Sequence, residues 1–296
     1  MIAPARASPA RRNVTETSGD HHQQMTGVRY LRVGCEFVHE AQVPTPAVLQ
    51  VSPDRHDVAT VLREQWRVYP DAPRRAYVDA NANVCQRLVL AQGRSTIRYQ
   101  ALVGVLDATE DVDPNAGEVD VDTLPDEVLQ FTLPSRYVVP DLLADEAWQL
   151  FGAAPPGYRR VQAICQHVHD SLSFAYGSTT STWTAADVRA SGVGVCRDFT
   201  HLALTYCRAL NIPARYVFGY LPDMDIEPRP QPMDFAAWME AFLAGRWWTF
   251  DPRNNTARKG RVVVGRGRDA VDVAMVTTYG GPVLESMTVW AQEVEP

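Results

Sequence analysis

Gly192-Val193-Gly194-Val195-Cys196-Arg197-Asp198-Phe199 is the stretch on which the fold turns. Two glycines permit a tight approach loop, and the residues after them change to a helical period. Phe199, Leu202, Ala203, Tyr206, Cys207 and Leu210 recur at spacings of three and four, which predicts a helix over 196–210 with one buried face. Asn211 and Pro213 end it. Cys196 then stands at the helix N-terminus. There, unpaired backbone N–H groups and the positive end of the dipole favour a thiolate and can hold an oxyanion. Cys207, on the apolar face, reads as an ordinary buried cysteine.

Two strands come next. Residues 235–243 alternate, Ala244-Gly245 has the form of a two-residue turn, and Arg246 to Asp251 alternate again. A hairpin closed there pairs Leu243 with Arg246, sets position 236 opposite Arg253, and places Asp251 diagonal to 236 on the face shared with Trp238 and Glu240. Diagonal neighbours about 7–8 Å apart suit a histidine oriented by a carboxylate. Position 236, however, is alanine. Other histidines offer no replacement. His201 lies five residues past Cys196, hence about 140° around the helix and about 7.5 Å along it, and reads as a packing residue. His167 and His169 belong to an earlier helix, one expected buried and one exposed. Asp234 flanks position 236, and its side chain is expected to project to the opposite face.

Upstream, short runs rich in Val, Tyr, Leu and Thr lie between Tyr30 and Val105, broken by Pro, Asp, Asn and Gly. They predict an antiparallel β-sandwich over 26–107. Residues 1–25, with Arg6, Arg11 and Arg12 but no hydrophobic core for export, are expected to be a disordered tail, with Met25 as an alternative start. Residues 108–124 carry Glu110, Asp111, Asp113, Glu118, Asp120 and Asp122 and read as a solvated acidic linker. Asp111, Asp113 and Asn115 open like a calcium loop, but Ala116 stands where Gly is required and Pro114 intrudes. From 125 to 296 the pattern turns to helices and then strands: Asp141 to Phe151, a face of Val161, Ile164, Val168 and Leu172, and a capping box at Thr184-Ala185-Ala186-Asp187. The whole is α+β.

The chain has 296 residues, a net charge of -7 and five cysteines without a Cys-x-x-Cys pair. The charge argues against nucleic acid or an anionic membrane as partner, and no apolar run is long enough to span a bilayer. The cysteines make neither a disulfide framework nor a metal site, and a reduced, cytoplasmic setting is expected. No metal or other cofactor is implied.

Leu133-Pro134-Ser135-Arg136-Tyr137, Val195-Cys196-Arg197-Asp198-Phe199, Asn211-Ile212-Pro213-Ala214-Arg215-Tyr216 and Arg266-Gly267-Arg268-Asp269-Ala270 resemble the bacterial transglutaminase-like family. Its members are candidate cysteine proteases with an N-terminal β-domain before a papain-like core. The resemblance implies Cys196 as nucleophile, Asp251 as third triad member, and Ala236 in the place of the family's histidine. Trp238, Arg197 and Asp198 are implied as cleft or supporting residues. Val193 and Asn254 also depart from the family, where Arg and His are expected, and Asp79-Ala80-Asn81-Ala82-Asn83 replaces a glycine-containing turn. The resemblance thus implies an acyl-transfer protein acting on amide bonds of a peptide or protein through a Cys196 thioester, impaired for want of its base. The alternative is a non-catalytic relative that binds a peptide or protein in the vestigial cleft, rimmed by Pro222 to Pro232.

Overall fold

The computed structural model describes residues 27–228 and 231–295. The expected tail over 1–25 lies outside them. Six strands come first: β1 (Val28–Ala41), β2 (Thr45–Leu49), β3 (Thr60–Tyr69), β4 (Arg75–Val78), β5 (Val84–Leu90) and β6 (Gly93–Leu106). Alternation drives them. Leu31, Val33, Cys35 and Phe37 of β1 and Ile97, Tyr99, Ala101 and Val103 of β6 point inward, against Ala47, Leu49, Leu88 and Leu90 of the facing sheet.

Five helices follow: α1 (Asp126–Leu129), α2 (Ala144–Phe151), α3 (Tyr158–Ser171), α4 (Ala185–Ser191) and α5 (Cys196–Ala209). Two short strands, β7 (Ser173–Phe174) and β8 (Val193–Gly194), pair in parallel just before α5. The core sheet has the order β11-β10-β9-β12, from β9 (Ala214–Tyr220), β10 (Ala236–Leu243), β11 (Arg246–Phe250) and β12 (Val262–Gly267). Helix α5 packs on β10 and β9 and is flanked by α2, α3 and α4. Among the described residues no helix is long and apolar enough to cross a membrane.

Three features differ from the sequence reading. First, residues 276–294 do not belong to the core. β13 (Val276–Thr278) pairs with β2, and β14 (Val283–Val294) pairs with β1 along its length, so the chain's end completes the N-terminal sandwich. Non-local pairing leaves no local signal, which is why the strand pattern alone assigned them elsewhere. Second, the acidic segment 108–124, although mostly exposed, is tied to the core by ion pairs. Glu110 pairs with Arg261, Asp111 with Arg246 at 2.7 Å, and Glu118 with Arg160 at 3.0 Å, while Ala116 is buried. Its charge complements arginines of the core. Third, α5 is buried on every side from Asp198 to Arg208. Most of its polar groups are paired inside: the Arg208 guanidinium donates to the carbonyls of Ala214 and Leu133, and Thr205 Oγ1 to that of His201, while His201 Nδ1 has no partner.

Candidate active site

The approach to Cys196 is built as the glycines predict. Gly192 closes α4 in the left-handed conformation at φ 71°, and Gly194 pairs with Phe174. A Cβ on Gly194 would lie 2.8 Å from Asp198 Cβ, so only glycine fits. Asp198 ties the turn together. Its carboxylate accepts from Val195 N at 2.9 Å, Thr179 Oγ1 at 2.6 Å and Arg197 Nε at 3.1 Å. That capping bond starts α5 at Cys196 and leaves the Cys196 and Arg197 N–H groups without partners within the helix.

The Cys196 sulfur is half-buried, 3.9 Å from the carbonyl oxygen of Phe235. It lines a cleft of about 320 Å³ with Phe174, Tyr176, Asp234, Ala236 and Arg253. Burial pushes the thiol up and Asp234 adds to this. Arg253 and the backbone N–H groups of Ala237 and Arg197 pull the other way without winning. The depressed thiol expected of a helix terminus is therefore not what the site holds. The terminus acts on a sulfur taken out of water, and desolvation dominates.

The β10–β11 hairpin has the predicted register, from Leu243↔Arg246 to Met239↔Phe250. Pairing stops there, because Asp251 turns the chain. Its carboxylate accepts from Arg253 N at 3.2 Å, Asn254 N at 2.9 Å, Asn254 Nδ2 at 2.7 Å and Arg261 Nη2 at 2.9 Å. Burial alone would raise this carboxyl, but Arg261 and Asn254 hold it below its ordinary range. Asp251 is not among the residues that line the cleft. Nor is Trp238, which sits on the β10 face turned away from α5 among Val217, Val263 and Ala236, with the Arg261 guanidinium 4.9 Å above its ring. Trp238 and Glu240 instead border a separate cavity of about 330 Å³ beside the acidic segment.

Asp234 corrects the sequence reading. Two positions before 236, it shares that position's parity instead of opposing it, and it faces the cleft with Ala236, its carboxyl raised by burial. His201 is wholly buried between Tyr137 and Tyr216, and its Nε2 accepts from Ala270 N at 3.2 Å. Burial pushes it down to about 3, which keeps it neutral. His167 and His169 are both half-buried rather than split: the first lies against Phe151 and Tyr206, and Nδ1 of the second donates to the Arg253 carbonyl at 2.9 Å. Arg253 is legible in the sequence only as the register partner of position 236; its place in the cleft has no local signal. Among the described residues no three His, Cys, Asp or Glu side chains gather as a metal site.

A cysteine at the start of a buried helix, beside the beginning of an inner strand of an antiparallel sheet, defines a papain-like cysteine acyl-transfer scaffold. Residues 147–252 match the model of the Transglutaminase-like superfamily. The structure is similar to that of a proposed cysteine protease from Cytophaga hutchinsonii, with a TM-score of 0.81 and 28% identity over 92% of each chain. In sequence it is 36% identical over 124 residues to an uncharacterised protein of Mycobacterium leprae, covering 39% of this chain and 42% of that one. It is 31% identical over 145 residues to one of Mycobacterium tuberculosis, covering 46% of each. The chain thus spans less than half the length of these curated relatives.

Proposed function

We propose that this chain is a cysteine acyl-transfer protein directed at amide bonds of a peptide or protein, with Cys196 as nucleophile and its proton transfer crippled. The observation that carries the reading is the pairing of a cleft-lining Cys196 with Ala236 while Asp251 is engaged by Arg261 and Asn254. An amide needs a base to take the thiol proton and an acid to return it to the leaving amine. Alanine supplies neither. Losing one member of such a unit typically costs several orders of magnitude in rate. The engagement of Asp251 also favours the second reading, a cleft that binds a peptide or protein without turning it over. A cytoplasmic setting, with neither nucleic acid nor membrane as partner, goes with this reading.

The test is the pH dependence of Cys196 alkylation by iodoacetamide in the parent and in Ala236→His, with Cys196→Ala as blank for the other four thiols. The parent should label slowly below the ordinary thiol range, at about pH 8.5, and Ala236→His should label faster near neutrality. Fast labelling of the parent at about pH 6 would show an activated sulfur, and the proposal of a crippled site would fall.

A further inference from the structure

Asp234 and Arg253 face the cleft of Cys196 without pairing with each other. Both line it together with Cys196 and Ala236. Among the described residues neither side chain forms an ion pair. The Arg253 guanidinium lies 4.0 Å over the ring of Phe174, another wall of the cleft, and the Arg253 carbonyl is held by His169. Asp234 Oδ1 accepts from Phe235 N at 2.7 Å, and among the described residues Oδ2 has no partner. Phe235 is also the residue whose carbonyl lies 3.9 Å from the Cys196 sulfur. Burial raises the Asp234 carboxyl and Arg253 pulls it down without winning, so the two are within electrostatic reach of one another. The other carboxylate on the cleft wall, Asp223, is engaged by Arg258 at 3.2 Å. The cleft thus offers one acid and one cation, each lacking an opposite charge of its own.

We propose that the acyl donor is the side-chain amide of an amino acid whose α-amino and α-carboxylate groups are both free. A γ-glutamyl end group is the type. Asp234 holds its ammonium and Arg253 its carboxylate. This narrows the peptide substrate proposed above and rests on Cys196 being the nucleophile. A carboxylate and a guanidinium drawn partly out of water each favour a ligand that supplies the missing charge. The planar guanidinium, fixed against Phe174, suits a carboxylate in particular. At about 320 Å³ the cleft is near the lower end of ligand-site volumes, so both charges are met most readily by one residue. An ordinary peptide bond consumes the α-carboxylate of the residue that donates the acyl group. A glutamine within a protein chain has neither α group free. A side-chain amide keeps both on one carbon and sends its carbonyl along a third arm to the sulfur. There the Cys196 and Arg197 N–H groups stand ready for the oxyanion.

The test uses 5-chloro-4-oxonorvaline on the full chain near neutral pH. Its chlorine-bearing carbon occupies the place of the side-chain amide carbon of glutamine. The Cys196 sulfur bonds to that carbon, chloride leaves with the bonding pair, and the thiol proton passes to water. No departing amine has to be protonated. Peptide mapping locates the label, with Cys196→Ala as blank. Cys196 should react at least about tenfold faster than with chloroacetone, the factor that one charge-assisted hydrogen bond supports. N-acetylation or methyl esterification of the probe should each cost about tenfold on the same ground. Arg253→Gln should erase the effect of the ester alone, and Asp234→Asn that of the acetyl group alone. The chloroacetone rate of each variant corrects for changes in the thiol itself. No preference over chloroacetone in the parent, or a blocked probe that reacts as fast as the free amino acid, overturns the proposal. A variant with native circular dichroism that keeps both effects overturns the role given to its residue. Where a variant fails to fold, the probe series on the parent decides. Iodoacetamide labelling of Cys196 without preference among the chloroketones defeats this inference alone. No labelling of Cys196 by any of these reagents defeats the nucleophile reading as well.

Discussion

Arg261 reaches over the ring of Trp238 to bind Asp251, with its guanidinium 4.9 Å from the indole centroid and Nη2 2.9 Å from Oδ2. The same guanidinium pairs with Glu110. Asp251 is therefore a buried anchor that connects the core sheet to the acidic segment, whatever part it plays in chemistry.

Replacing Arg261 with Met should leave the carboxylates of Asp251 and Glu110 enclosed without their shared cation. Breaking such a buried pair costs about 3–5 kcal/mol. The sign with pH comes from the low carboxyl of Asp251. In the parent, its contribution is complete above about pH 3.9, the ordinary aspartate value, and is lost as pH falls through the lower folded value. Without Arg261, burial should raise the carboxyl instead, so the variant's deficit should shrink as pH falls from 7 towards 5. Urea denaturation at both pH values decides it; a loss under about 1 kcal/mol would contradict the anchor role.

His201 predicts a different acid dependence. Its folded value of about 3 lies below the ordinary 6.5, so the unfolded chain takes up the proton first. Stability should fall by about 1.4 kcal/mol per pH unit as pH drops from about 6.5 towards the folded value, through this residue alone. His201→Gln keeps an acceptor for Ala270 N and removes the titration. Its unfolding free energy should vary less over pH 6.5 to 4 than the parent's, and matching slopes would assign the effect elsewhere.

Gly194→Ala should disturb the nucleophile without touching it. The new Cβ would meet Asp198 Cβ at 2.8 Å and displace the carboxylate that caps α5. Overpacking of this kind costs about 1–3 kcal/mol. Cys196 labelling should change along with stability, since the capping bond sets where the helix begins. A variant with unchanged melting temperature and labelling rate would show that the turn adapts.

Deleting residues from Val283 onward should unmake the N-terminal sandwich, not trim the core. It removes the buried side chains of Val289 and Ala291 and bares one edge of β1. An exposed edge of that length pairs readily with other chains. Size-exclusion chromatography should find aggregate; a stable monomer with native circular dichroism would show β14 to be dispensable.

The parts legible in the sequence were those whose cause is local. The α5 period, the Gly192 and Gly194 approach, the Thr184–Asp187 capping box and the Leu243↔Arg246 hairpin each arise from residues within a few positions of one another. Cys196 and Ala236 could be set on one site from those patterns and from motif resemblance. Both residues line the cleft.

Tertiary structure alone decided the rest, for physical reasons that no local pattern carries. Pairing of β14 with β1 joins residues more than two hundred positions apart, and its hydrogen bonds leave no mark on either strand. The acidic run acquired its meaning from arginines at 160, 246 and 261. Hairpin pairing ended before Asp251, so its surroundings were set by a turn and by partners from elsewhere. The state of the Cys196 thiol was likewise beyond the sequence. A helix terminus lowers it and burial raises it, and only the packed cleft determines which of the two prevails.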